Sequence, residues 1–318
     1  MMEKYNKILI DGNNLFCRNW FVFKDSLVQL ENGQTLISGP IKGSLASIKR
    51  LEKMFGAEDC QVFILWDNAN SKCELRKQID PDYKLNREKK KAIFYRSLNY
   101  LQFVLLYYKP NYSILFRHTF EADDLVKPLI SKFSEYDKIL LCSEDMDWSR
   151  LISQNINWYA NKKLFDRHGF QRKYKFYPDG NNVTLFKAIR GDKSDSIPIG
   201  IKKIRLENLI KLLNDFDDIY DLLDGYENVN YLTPAWKDKI RENESRLRLN
   251  YQLADFLNIS AEDIEQYIFK SEHSPRILFL LLKTLGYKLS EMADYTKEYH
   301  TKETYDSRTF FKYHKLKR

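Results

Sequence analysis

The stretch KILLCSEDMDW, Lys138 to Trp148, sets the apolar run ILLC directly ahead of three acids, Glu144, Asp145 and Asp147. A run so short and so apolar reads as a strand buried on both faces, which is the condition of a strand inside a parallel sheet. Outward from it, KILIDG (Lys7 to Gly12), QVFILWD (Gln61 to Asp67), SILFRH (Ser113 to His118) and INWYA (Ile156 to Ala160) have the same character. Longer amphipathic stretches separate them. This alternation predicts an α/β fold, a twisted, mostly parallel sheet flanked by helices. From about Val183 the strand signals stop, and TLFKAIRG, LENLIKLLNDF, ESRLRLNYQLADFL and RILFLLLKTLGY read as helices. No repeat, low-complexity tract or Gly/Ser linker divides the chain. The expected organisation is an α/β core over residues 1–182, a helical region over 183–288 and a basic, aromatic tail over 289–318.

Composition limits the functions open to such a chain. Its 318 residues, 43% hydrophobic and 14% aromatic, suffice for a sizeable core without covalent staples. The longest apolar runs, Phe103 to Tyr108 and Ile277 to Leu282, are far shorter than the roughly 20 residues of a membrane span. The N-terminal MMEKYNKILI has no signal-peptide character, so the chain reads as cytoplasmic, in a host cytoplasm if viral. Cys17, Cys60, Cys73 and Cys142 show neither CxxC pairing nor zinc-ligand spacing and read as reduced thiols. The formal charge of +8 suits a polyanionic partner. Basic residues crowd into Tyr83–Lys91, Arg167–Lys175, Ile201–Arg205 and the last eleven residues. Singly, each such run is more often a solvated face than a binding site.

Ligands of an open parallel sheet bind at the carboxyl ends of its strands, and there the acids of this chain recur. Asp11 closes the first run, Asp67 the second, and Asp145 with Asp147 the fourth. Glu121, Asp123 and Asp124 open a helix after the third, and Asp192 and Asp195 follow a helical segment in RGDKSDSIP. Any one of these nine acids could be a turn former or a helix cap. Caps have no reason to gather at one edge of a sheet, however. Carboxylates about 4 Å apart repel by about 4 kcal/mol at an effective dielectric of about 20, so the cluster needs cations. Oxygen ligands without His or Cys suit Mg²⁺ or Mn²⁺, and two such ions about 3.5 to 4 Å apart form the clamp used on phosphodiesters.

The constellation resembles the structure-specific 5′-nucleases, a family that includes bacteriophage 5′-3′ exonucleases, the 5′-nuclease domain of bacterial DNA polymerase I and flap endonucleases. The matching elements are IDGNN (Ile10 to Asn14), LWDN (Leu65 to Asn68), PDYKLNR (Pro81 to Arg87), EADD (Glu121 to Asp124), SEDMDW (Ser143 to Trp148) and GDKSDSIP (Gly191 to Pro198), in the family's order. The likeness covers roughly residues 7 to 215 and is nearest to the phage-type members. It implies a PIN-like nuclease core holding two Mg²⁺ ions, with Mn²⁺ able to substitute. Asp11, Asp67, Glu121 and Asp123 would hold one, Asp123, Asp145, Asp147 and Asp192 the other, with Asp124 and Asp195 acting through water. Tyr83, Lys84 and Arg87 match a helical arch, about residues 72–109, that surrounds a 5′ single strand and brings Lys84 to the scissile phosphate. Arg18 matches a basic position at the active-site gateway, and Lys89 and Lys90 continue the arch's basic run toward DNA. After GDKSDSIP the family carries a helix-hairpin-helix loop rich in glycine. Here IPIGIKKI keeps only Gly200, followed by Lys202 and Lys203, in a shortened loop.

The resemblance implies hydrolysis of flapped, nicked or branched DNA in replication or repair, with the RNA strand of hybrids as a further substrate. The chain would act as a monomer beside a replication polymerase or a single-strand-binding protein. A PIN-like ribonuclease and a non-catalytic DNA-structure binder are the alternatives. The first usually lacks the SEDMDW and GDKSDS elements, and the second would have lost carboxylates. A nucleotide-binding oxidoreductase is disfavoured, since no Gly-rich loop follows the first strand.

Overall fold

The computed structural model describes residues 3–23, 26–67, 74–87, 90–116, 119–179, 181–292 and 295. Nine strands lie among them: β1 (Tyr5–Asp11), β2 (Leu27–Gln29), β3 (Thr35–Ile37), β4 (Gly56–Leu65), β5 (Tyr112–Leu115), β6 (Ile139–Cys142), β7 (Ile156–Ala160), β8 (Lys163–Phe165) and β9 (Ile268–Lys270). Seven of them form one sheet in the order β8-β7-β6-β1-β4-β5-β9, and β2 pairs with β3 separately. The five apolar runs read from the sequence are the five central strands, all parallel. The outer strands β8 and β9 pair antiparallel to β7 and β5.

Alternation along β1 explains how both faces are covered. Ile8 and Ile10 point to one side, into a cluster with Ile41 and Leu45 of the helix Ser38–Phe55, Leu98 and Leu101 of Ala92–Leu105, and Leu278 of Pro275–Thr284. Leu9 points to the other, with Leu125 and Leu129 of the helix Ala122–Ile130 and Val183 and Ile189 of Asn182–Arg190. Each fully buried aliphatic side chain of this kind contributes about 1.5 to 3 kcal/mol relative to an exposed one. Register then fixes the site. Ile10 stands opposite Ile64 on one side and Cys142 on the other, so the carboxyl ends of β1, β4 and β6 come level. Gly12 is required just past β1, because a Cβ there would lie 2.6 Å from the indole of Trp66.

The region after Val183 is mostly helical, with one short strand, β9, added to the sheet edge; at three residues it is too short to carry a period of two. The core is continuous across residue 183, where Val183, Leu185, Ala188 and Ile189 share an apolar cluster with Leu141 and Trp158 of the sheet. Within the expected arch, about 72–109, the helix Ala92–Leu105 buries Phe94, Leu98, Leu101, Val104 and Leu105 in the core, while Arg76, Tyr83, Lys84 and Arg87 reach Glu121, Asp124 or Asp195. No helix among the described residues is long and apolar enough to cross a membrane. Cys17, Cys60 and Cys142 are free thiols. Cys73, Lys89 and the segment 296–318 lie outside the described residues.

Candidate active site

Asp11 ends β1 and caps the helix Gly12–Val22, one oxygen accepting from the Asn14 amide at 2.8 Å and the other from Ser143 Oγ at 2.7 Å. Asp67, two residues past β4, accepts from Asn13 Nδ2 at 2.7 Å and from the Ala122 amide at 2.8 Å, which ties it to the start of the helix Ala122–Ile130. Asp123 lies in that helix's first turn and accepts from Trp148 Nε1 at 2.5 Å. After β6, Asp145 caps a 3₁₀ turn by accepting from the Asp147 amide at 3.0 Å. Strand ends and a helix start thus converge, and carboxylate oxygens of Asp123, Asp145 and Asp147 lie within 4.8 Å of one another.

The electrostatic consequences follow from crowding. Burial first, and then the Asp67 carboxylate, push Asp11 up to about 7. Burial and then Asp145, Asp11 and Asp147 hold Asp123 well above the usual carboxylate range. Asp67 is raised by burial and by Glu121. Asp192 goes the other way: burial would raise it, but Lys187 and the Ser194 donors bring it down to about 2.

The remaining expected acids are engaged by side chains. Asp192 closes a bridge with Ile197 and lies 2.9 Å from Lys187 Nζ. Asp195 pairs with Arg87 at 2.7 Å, with Lys84 Nζ at 3.5 Å. Glu121 accepts from Arg76 at 2.6 Å and from Tyr83 Oη at 3.2 Å, and forms an ion pair with Lys84. Asp124, expected to act through water beside the cluster, is instead fully buried and held by both terminal nitrogens of Arg76 at 2.7 and 2.8 Å. The physical reason is helical geometry. One residue beyond Asp123 turns the side chain by about 100°, away from the strand ends.

The basic residues are placed as follows. Lys84 takes a left-handed backbone, φ 56°, and its amide donates to the Asp195 carbonyl at 3.0 Å, which folds its ammonium onto the acids. Arg18 lies at the rim, 2.6 Å from Glu144. Lys90 sits over the ring of Phe21, 5.2 Å from its centre. Lys202 and Lys203 are exposed between the helices Asn182–Arg190 and Leu206–Asp215, and Gly200 packs so closely that a Cβ would lie 2.3 Å from the Ala188 carbonyl oxygen. Asn250, fully buried, donates to the carbonyls of Ala188 and Pro198 at 2.9 and 2.7 Å and clamps this hairpin from behind.

Five residues of the site escape a reading of carboxylates: Asn13, Arg76, Ser143, Trp148 and Lys187. Lys187 is the most telling. A lysine inside TLFKAIRG, on a helix whose Val183, Thr184, Ala188 and Ile189 are buried, can be found on a helical wheel as a cation on the inward face.

Acids able to hold cations at the carboxyl edge of a parallel sheet, rimmed by basic side chains, make the class of site found in phosphodiester-hydrolysing nucleases. The chain belongs to the 5′-3′ exonuclease family: residues 6–175 match the family described as 5′-3′ exonuclease, N-terminal resolvase-like domain. It is similar to a 5′-3′ exonuclease of Mycoplasmopsis pulmonis, 28% identical over 77% of both chains. Another 5′-3′ exonuclease, of Buchnera aphidicola subsp. Schizaphis graminum, is 28% identical over 81% of this chain and 90% of its own. Among solved structures, the bacteriophage T5 flap endonuclease, in a complex with DNA and metal ions, shares the fold with a TM-score of 0.60 at 19% identity, over 92% of this chain and 97% of that one.

Proposed function

We propose that this protein is a divalent-metal-dependent, structure-specific 5′-nuclease that hydrolyses phosphodiesters at 5′ flaps, nicks and branches of DNA. The RNA strand of RNA-DNA hybrids is a further substrate class, and replication or repair is the setting. The observation that carries the reading is the convergence of Asp123, Asp145 and Asp147 within 4.8 Å at the sheet's carboxyl edge, in a chain of this family.

The site fits a divalent cation on its own chemistry. Its donors are all oxygen, which favours Mg²⁺ with Mn²⁺ as a substitute over zinc. Asp147 Oδ1 is a buried anionic oxygen shut off from water that already faces a cation, the Lys187 ammonium at 2.7 Å. Asp123, Asp145, Asp147 and Asp192 would hold one ion, Asp11, Asp67, Glu121 and Asp123 a second. Bound there, divalent ions supply Lewis-acid polarisation of the phosphodiester and neutralise charge that develops on its oxygens. The chain's own residues set the geometry: Trp148 fixes Asp123, Ser143 and Asn14 fix Asp11, and Asn13 with the Ala122 amide fixes Asp67. Lys84, with Arg87 beside it, is placed to donate to the phosphate as negative charge grows on it. Tyr83 braces Glu121 from below. Arg18 and Lys90 line the approach, and the Gly200–Lys203 hairpin meets duplex phosphates through its exposed lysines, the Gly200 and Ile201 amides donating instead to the Ile189 carbonyl. A polymerase or single-strand-binding protein is the expected protein partner of a monomer acting in the cytoplasm.

A cleavage panel tests the reading. With Mg²⁺, a 5′-labelled flap and a nicked duplex should be cut faster than single-stranded DNA, and chelator should stop cleavage of all of them. Cleavage that persists in chelator, or that prefers unstructured RNA, would overturn it.

A further inference from the structure

Each half of the acidic cluster already contains an ammonium. Lys187 Nζ lies 2.7 Å from Asp147, 2.9 Å from Asp192 and 3.7 Å from Asp145, with its side chain only 7% exposed. Lys84 Nζ pairs with Glu121 and lies 3.5 Å from Asp195, also at 7% exposure. Two of the three carboxylates that converge on one point, Asp145 and Asp147, are therefore the ones Lys187 neutralises. A divalent ion on these oxygens and the Lys187 ammonium would be like charges at contact distance in a water-poor site, where their repulsion is least screened. The two cannot share the same lone pairs. An ammonium pushed off its carboxylates at this depth needs another anion, because an uncompensated buried charge is strongly disfavoured. The anion that the proposed reaction brings to this place is the scissile phosphodiester.

We infer that Lys187 is a resident counter-cation of the Asp145, Asp147 and Asp192 site, displaced by the divalent ion and received by the substrate phosphate, so that substrate and metal bind cooperatively through it. The inference rests on the nuclease reading and adds to it a positioning residue with a thermodynamic role. Without DNA the ion must compete with Lys187, so its affinity is held down. With DNA the ammonium has a new partner and the competition is relieved. Linkage makes the effect reciprocal, the ion strengthening phosphate binding by the same factor. Lys84 makes a parallel arrangement on the Glu121 side, but its backbone is pinned to the Asp195 carbonyl and its shift would be a rotation of the side chain alone.

Calorimetric titration of Mn²⁺, with and without a flap carrying a non-hydrolysable linkage at the junction, reads the competition directly. Wild-type protein should bind Mn²⁺ about tenfold more tightly with the flap present, a coupling of ordinary size. Lys187→Met should bind Mn²⁺ about tenfold more tightly than wild type without DNA and lose most of the gain from the flap. Lys187→Arg, which keeps the charge, should stay near wild type. If Lys187→Met is poorly folded in chelator, its melting temperature should recover in Mn²⁺ by a larger increment than that of wild type, and Lys84→Met supplies a second test by tightening the other ion. Lys187→Met with unchanged or weaker Mn²⁺ affinity and an intact flap effect would overturn the inference alone. Wild-type protein that binds no Mn²⁺ at millimolar concentration would overturn it together with the nuclease reading.

Discussion

Asp11 illustrates what one buried carboxyl does to the molecule's pH response. Its value in the folded chain, about 7, is above the value of about 3.9 that an exposed Asp has in an unfolded one, so folding favours the protonated form. The stabilising contribution is complete below about pH 4 and is lost as pH rises through about 7. Asp123 and Asp67 are raised by the same crowding and act with the same sign. Asp192, lowered to about 2, acts oppositely but only in acid outside this window. In chelator the protein should therefore melt at a higher temperature at pH 5.5 than at pH 8, and Mn²⁺ should abolish or reverse that order. A metal-free protein that gains stability from pH 5.5 to 8 would contradict the assignment of these groups as mutually repelling. Metal binding must release the same protons, so Mn²⁺ affinity should climb toward pH 7 and then level off.

At the scale of elements, the short helix Glu74–Ile79 is tied to the site through one guanidinium. Arg76, 6% exposed at its side chain, bonds Asp124, Glu121 and the backbone carbonyls of Leu253 and Asp255, joining residues 74–79 to the helix Ala122–Ile130 and to the end of the helix Glu244–Ala254. Arg76→Ala leaves the buried Asp124 without its cation and should cost about 3 to 5 kcal/mol, read as a lower urea midpoint at unchanged slope. A loss under 1 kcal/mol would mean that the network is solvated rather than buried. The hairpin before Leu206–Asp215 has a different signature. Lys202→Ala with Lys203→Ala should weaken duplex binding and reduce the log-log salt slope by about 0.9 for each phosphate no longer neutralised, whereas an unchanged slope would remove the hairpin from the DNA interface. These elements also show what the sequence makes legible. Five buried strands announce themselves as apolar runs because both their faces are covered, and the acids after β1, β4 and β6 are legible because each apolar run stops just before them. The fate of Asp124 is not legible, since EADD does not say which way a helix will face. Nor is Arg76, whose role comes from partners distant in the chain, 179 residues away in the case of Asp255; Lys187 shows in the sequence as a cation on an inward helix face, but not by its partners on the strand ends. The edge strand β9 is hidden for a simpler reason, its three residues having too little pattern to read.

Seen as a whole, the molecule places a self-repelling acidic cluster at one edge of a rigid sheet and surrounds it with cations of its own, from Lys84, Arg87 and Arg76 on one side and Lys187 on the other. On the proposed reading the substrate's basic contacts are other residues, Lys90 beside Phe21 and the exposed Lys202 and Lys203. Binding and chemistry should therefore be separable by mutation. Asp145 and Asp147 are the residues on which the division turns, because they belong to the converging triad and contact Lys187 but not the outer basic surfaces. The direct measurement is single-turnover cleavage of a 5′ flap in Mg²⁺, paired with binding of the same flap in Ca²⁺, for wild type and for Asp145→Ala with Asp147→Ala. The predicted result is loss of cleavage in the double variant with flap affinity in Ca²⁺ within about threefold of wild type, a difference well under 1 kcal/mol. A double variant that still cuts the flap at a comparable single-turnover rate would contradict the assignment of this cluster as the catalytic centre.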